Sequence, residues 1–410
     1  MTRITRRQAL AFAASIPAAS IPLIPGLLVE PARAAGLSAE RYEGRVVVVL
    51  RMKGGNDGFN TVVPVNDDRY YRARPNIALA KRETLSVSGH EAGLHPALAD
   101  FMRLMDDGHA GILQSVGYPQ PSRSHLRSTE IWQAGSLAAD APAAGWLGRY
   151  LDSGCGCDVD VAGVQLGGEP ALTLASATRR SRTIGHPQLL LRMNPEHAQR
   201  VLQRGPVNEP FSHLAVSQSA LAGAAALVQH AAGGSGARYG YPDTSFGRGL
   251  RWTADMIETE TPVRAYHVEL GSFETGAASF DTHVDQLAQH EQLYAELGRG
   301  VRAFVEQLRA THDLDRVLLV TYSDFGRQLG ENTTRGTEHG DASVLLYAGG
   351  AVRPGLQGPA ADLGQVTNGG LNHQVDFRAV YADILENWFD VPADVVLDER
   401  VEPFPLVRRI

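Results

Sequence analysis

The chain is 410 residues long, with 38 lysines and arginines against 45 aspartates and glutamates and a formal net charge of −7. No basic stripe runs through it, which argues against a nucleic-acid partner. Its two cysteines, Cys155 and Cys157, exclude a disulfide-built scaffold, and a chain of this length buries an ample core without one.

In chain order, residues 1–35 come first and predict an export signal. Arg6 and Arg7 are paired, a weakly apolar alanine-rich stretch follows, and Ala32-Arg33-Ala34 forms an A-x-A cleavage site. A basic start, an apolar middle and a small-residue site, with twin arginines, predict export through the twin-arginine machinery. Pro17, Pro22 and Pro25 break the segment below the length of a membrane span. The mature chain is expected to be residues 36–410, one domain, periplasmic or secreted, with no later membrane span. Its charge falls to −10, because four arginines and one glutamate leave with the signal.

The first strand is predicted at 46–52, an aliphatic run covered on both faces, and it ends in Gly54-Gly55-Asn56-Asp57-Gly58. That loop lacks the endings of a P-loop or a dinucleotide fingerprint. Further strands are predicted at 111–117, 161–166, 263–270, 316–322 and 343–348. Helices are predicted at 96–107, 125–134, 217–230, 245–258, 284–310 and 377–389. Cys155-Gly156-Cys157 reads as a loop, since an i, i+2 disulfide is strained. Strands alternating with helices predict an α/β fold, a mostly parallel central sheet with helices on both faces. Such sheets bind ligands beyond the carboxyl ends of their strands.

Acids, histidines and hydroxyls gather at those ends. The first strand delivers Asp57, and the second delivers Ser122-Arg123-Ser124-His125. The fourth leads to Asp281-Thr282-His283, and the fifth runs into Asp324-Phe325-Gly326-Arg327. His339 stands just before the sixth. Gly271-Ser272-Phe273-Glu274 echoes the Ser279-Phe280-Asp281 stretch, but only the second copy adds a histidine, so the site is placed there. Each residue also has a plainer use: Asp57 and Asp324 in turns, Asp281 or the serines as helix caps, His339 as a loop histidine. Phe59 and Trp132 are expected to pack the core. Asp and His together suit borderline to hard divalent ions, so Asp57, Asp281, His283, Asp324 and His339 form a candidate ligand set.

The motifs GGNDGFNTVVP, SRSH, FDTH, SDFGR and GTEHG, in this order behind a twin-arginine signal, resemble an exported bacterial family. That family is a domain of unknown function placed in the alkaline-phosphatase-like superfamily, with alkaline phosphatases, sulfatases and cofactor-independent phosphoglycerate mutases. The resemblance implies one or two metals (Zn, Mn or Mg) on Asp57, Asp281, His283, Asp324 and His339. It implies a nucleophile at Ser122 or Ser124, with Arg123, His125 and Arg327 holding a tetrahedral anion. Two departures stand out. Proline replaces the modified cysteine of sulfatases, which argues against formylglycine chemistry. The middle motif is D-T-H, whose side chains meet one ion only on an extended backbone. The implied activity is metal-dependent hydrolysis of a small anionic phosphate or related ester. The alternative is a non-catalytic periplasmic binding or assembly protein that serves a cell-surface partner.

Overall fold

A computed structural model describes residues 44–140, 142–153, 159–178, 180–193, 209–274, 277–397 and 399–408. The export signal, Cys155 and Cys157 lie outside the described residues. Strand β1 (Val46–Met52) is buried along its whole length. Val46, Val48 and Leu50 enter one core, and Val47 and Val49 enter the other. Apolar neighbours on both faces explain a run that does not alternate.

Around β1 lies a nine-stranded sheet. The other strands are β2 (Ala110–Gly117), β3 (Gly163–Leu166), β4 (Ser181–Ile184), β5 (Ala265–Leu270), β6 (Val317–Ser323), β7 (Ser343–Gly349), β8 (Gly355–Gln357) and β9 (Val375–Asp376). Their order is β8-β2-β7-β6-β1-β5-β3-β4, with β9 paired further along β2. Every pairing is parallel except those of β7 with β2 and β6. Helices α1 (Ala99–Asp106), α2 (Ser245–Glu258) and α3 (Gln286–Ala310) cover one face. Helices α4 (His125–Ala134), α5 (Trp146–Asp152) and α6 (Phe377–Asp383) cover the other.

The predicted strands recur within two residues of their expected bounds, and the short strands β4, β8 and β9 add to them. Three helices differ from expectation. The segment expected at 96–107 opens with the 3-10 turn Pro96–Leu98. The one expected at 217–230 begins earlier and spans Glu209–Ala231. The one expected at 377–389 passes into the π turn Ile384–Trp388. Phe59 and Trp132 are core residues, as expected. Among the described residues no helix is long and apolar enough to cross a membrane.

Register explains why scattered motifs meet. Met52 of β1 lies opposite Leu270 of β5 and Ser323 of β6, so three strands end level and their loops leave at one edge. Strand β2 ends at the same edge, where Val116 faces Ser343 at the start of antiparallel β7. The segment before β7 therefore joins the loops that follow the other strands.

Candidate metal centre

The loop after β1 packs backbone to backbone on the Asp281 loop. A Cβ at Gly54 (φ +115) would stand 2.4 Å from the Asp281 amide, so the close approach requires glycine. At Gly55 (φ +97) a Cβ would strike the Phe325 ring at 2.7 Å. That ring lies 4.7 Å from the His125 ring and 4.4 Å from that of His339. Residues 281–285 are not helical, and the helix behind them starts at Gln286 after a left-handed Asp285. Asp281 is thus not a cap. The chain turns at Asp281, where the Thr282 amide donates to the Phe280 carbonyl at 3.0 Å, and the i and i+2 side chains meet, with Asp281 Oδ1 3.0 Å from His283 Nε2. His339 lies in a hairpin, Arg327–Glu331 with Thr337–His339, directly opposite Arg327. His125 is the first residue of α4.

Three imidazoles converge on the Asp281 carboxylate. Oδ1 has His283 Nε2 at 3.0 Å and His339 Nε2 at 3.1 Å, while Oδ2 has His125 Nε2 at 3.3 Å. The Nε2 atoms of His283 and His339 are themselves 3.0 Å apart. Each ring is held from behind at Nδ1: His125 by Asp324 Oδ2 at 2.9 Å, His283 by Glu338 Oε2 at 3.0 Å, His339 by the Arg123 carbonyl at 2.8 Å. Carboxylates and carbonyls only accept, so every Nδ1 donates and, in the neutral ring, every Nε2 presents a lone pair. Lone pairs and a carboxylate oxygen at such distances can share a cation, a proton or a metal ion. Acceptors behind ligating histidines are the usual second layer of a metal site. His125 Nε2 is buried without a well-aligned hydrogen bond. One ligand atom each from His125, Asp281 and His339 lie within 4.8 Å of one another. The donor set of imidazole nitrogens and a carboxylate fits a divalent ion such as zinc.

In the absence of an ion, a proton on His125 takes that place. Burial opposes the Asp281 charge, but His125, His339 and Arg327 outweigh it and hold the carboxyl far below its usual range. Burial also opposes the His125 charge, yet the Asp281 and Asp324 carboxylates prevail and push its pKa up to about 9. Asp324 is fully buried, and His125 and Arg51 hold its pKa down against burial.

Several expectations from sequence are corrected here. Asp57 lies outside this group. Its oxygens accept from Arg74 Nη1 at 2.6 Å and Nη2 at 3.0 Å, from Gln286 Nε2 at 2.5 Å and from the Phe59 amide at 3.1 Å. It is a helix cap and half of a buried ion pair. Asp324 stands behind His125, with its other oxygen on Arg51 at 2.9 Å. Arg327 offers no fork to an anion. It is fully buried, and it donates to the carbonyls of Gly54, Gly55, Phe280 and Thr337 and to Asp281. The Arg123 guanidinium is bidentate on Asp341, at 2.9 and 2.8 Å. His125, expected to hold an anion, lies with Asp281 and His339 in the group that could hold a metal ion. Ser122 Oγ accepts from the Ser124 amide at 3.3 Å, whereas exposed Ser124, at the N-cap of α4, makes no side-chain capping bond.

Sequence reasoning missed Arg51, Glu338, Asp341 and Gln286. A charge inside an aliphatic strand was the available signal for Arg51, and position within GTEHGD was the signal for Glu338 and Asp341. Gln286 carried none.

The fold and the converging side chains define an α/β protein with a histidine- and aspartate-lined centre at the carboxyl edge of its sheet. Over residues 45–396 the chain matches, and belongs to, a family described as a protein of unknown function (DUF1501). No curated protein matches it in sequence. Among solved structures it is similar to a protein in the alkaline phosphatase superfamily from Vibrio parahaemolyticus, at 9% identity over 86% of this chain and 67% of that one, TM-score 0.38. A phosphonate monoester hydrolase from Silicibacter pomeroyi matches at 10% identity over 88% of this chain and 78% of its own, TM-score 0.37. A sulfatase from Pseudoalteromonas sp. matches at 12% identity over 92% and 75%, TM-score 0.38. Likeness at this level says nothing of activity.

Proposed function

We propose that the protein is an exported, metal-dependent hydrolase of phosphate or related esters. The observation that carries this is the convergence of three Nε2 atoms on Asp281, each ring fixed from behind at Nδ1. In this reading His125, Asp281 and His339 would hold one divalent ion, which would supply Lewis-acid chemistry to a bound ester. A bound divalent ion would polarise the ester oxygen and offset charge as the ester bond breaks. His283 is the most exposed of the three imidazoles, and Glu338 fixes its ring, so it can carry a proton to or from the reacting group. Ser124 is the better nucleophile of the two serines, since its hydroxyl sits at the start of α4 where the helix end favours an oxyanion. Phe325 and Phe273 shield His125 from water on two sides.

The test measures metal per chain and turnover on the same sample. Mature protein should hold about one divalent ion, and Asp281→Ala and His339→Ala should lose it. Metal-replete protein that cleaves no phosphate, phosphonate or sulfate ester in a broad panel would sink the hydrolase. A second reading, a periplasmic assembly protein with a structural ion, is favoured by one observation. Both arginines expected to grip an anion are already engaged by Asp341 or by Asp281 and backbone carbonyls. That reading keeps the metal and leaves the ester panel blank.

A further inference from the structure

A cavity of about 450 Å³ opens beside the metal centre, within the roughly 300–1,000 Å³ of ordinary small-ligand sites. Arg123 joins the two: its carbonyl accepts from His339 Nδ1, and its guanidinium lines the cavity. Asp341, two residues beyond His339, is also in the wall. Among the described residues these two are the only Lys, Arg, Asp or Glu side chains of the lining, and they neutralise each other in a bidentate pair. The pair is built in. A Cβ at Gly370 would lie 2.0 Å from Asp341 Oδ2 and 2.7 Å from Arg123 Nη2, so only glycine leaves it room.

The remaining polar lining is the carboxamides of Gln120, Asn368 and Asn372, the ring of His373 and the hydroxyls of Tyr118 and Thr367. Among the described residues, the carboxamides of Gln120, Asn368 and Asn372, which are exposed, and the half-buried ring of His373 line the cavity and make no hydrogen bond within the protein. Gln120 (φ 54) and Asn368 (φ 50) both have left-handed backbone, Asn368 as the first residue of the Asn368-Gly369 turn that joins Val366–Thr367 to Gly370–Leu371. A carboxamide both donates and accepts, as a hydroxyl does. Tyr118 and Leu371 supply apolar surface beside these amides. Among the described residues of the lining, a second anionic group would find no lysine or arginine outside that pair, and an acyl chain would meet too many polar atoms.

We propose that this cavity binds the neutral, polyhydroxylated part of a substrate, a sugar or polyol, and that the ester to be cut projects from it to the metal centre. The second half rests on the hydrolase reading; the first does not. Binding of myo-inositol and of neutral mono- and disaccharides to mature, metal-loaded protein, followed by ligand-observed NMR, tests it. Gln120→Gly with Asn368→Gly removes two carboxamides while suiting the left-handed backbone, so misfolding does not confuse the result. At least one probe should bind the wild type and bind the double variant about tenfold more weakly, with metal content unchanged. Failure of every probe to bind, or equal binding by the variant, overturns the proposal, as does capture of hexanoyl phosphate in preference to the sugars. A sugar bound and lost in the variant, with no ester cleaved, keeps the cavity and sinks the hydrolase. Ester cleavage unchanged in the double variant keeps the hydrolase and sinks the cavity.

Discussion

At Asp57 both carboxylate oxygens are occupied by Arg74, Gln286 and the Phe59 amide, in a place with no water to share. Asp57→Ala would leave Arg74 buried and uncompensated, at a cost of about 3–5 kcal/mol in urea unfolding. Adding Arg74→Met should recover most of that loss, because a packed apolar pair often replaces a buried ion pair at little cost. The folded Asp57→Ala protein should keep its metal; loss of metal with stability intact would return Asp57 to the ligand set. His283 yields a different contrast. Its ring is oriented by Glu338 yet lies half open to solvent, so His283→Ala should retain the ion and lose turnover by about 100-fold or more. Metal lost along with turnover would make it a fourth ligand instead.

Among the elements, the loop before α3 and the Arg327–His339 hairpin depend on one side chain of the first turn of α3. Gln286 donates to Asp57 and accepts from the hydroxyls of Thr282 and Thr337, at 3.2 and 2.6 Å. Thr282 separates Asp281 from His283, and Thr337 lies two residues before His339. Gln286 therefore ties the segments that carry Asp281 and His339 to the first loop while bonding to neither residue. Gln286→Leu, similar in volume, should weaken metal binding by about 10–100-fold in competition with a chromophoric chelator. Rescue by Gln286→Glu is not expected, since a second carboxylate would face Asp57. Unchanged affinity in Gln286→Leu would show that the hairpin and loop hold their places without it. At this scale the sequence was a good guide where signals were long. The unbroken run of β1 and the amphipathic spacing of α3 gave their bounds within two residues. Strands of two to four residues, β4, β8 and β9, are too short for any period to show.

Over the whole molecule, buried neutral histidines link stability to acidity. Burial lowers the pKa of His95 to about 4 and of His267 and His290 to about 3. In the unfolded chain each titrates near 6.5. Between those values the unfolded state binds more protons, so stability falls as pH falls below 6.5. Each histidine contributes a slope of at most about 1.4 kcal/mol per pH unit, about 4 for the three between pH 4 and 6. His125 acts in the opposite sense: its raised pKa favours folding at pH 6.5 and below, a contribution lost as pH rises through about 9. It is charged in both states in the acid window and does not blunt the slope there. Urea unfolding of metal-free protein should therefore show greatest stability near neutral pH and a steep loss by pH 5. A flat profile from pH 7 to 5 would contradict the burial of these rings.

By itself the sequence determined the layered α/β class, the family and the edge of the sheet where chemistry collects. Those follow from local pattern: aliphatic runs, amphipathic spacing, and acids and histidines just past predicted strands. It also named His125, Asp281, His283 and His339. Only the tertiary structure decided which residues face one another. Asp57 and Asp324 follow their strands much as Asp281 does, yet Arg74, from a segment with no motif, closes on one, and Arg51 with His125 closes on the other. Pairing partners lie 17 to 273 residues away along the chain. No local pattern encodes such a contact, because it is set by the register of strands and the packing of loops across the sheet edge.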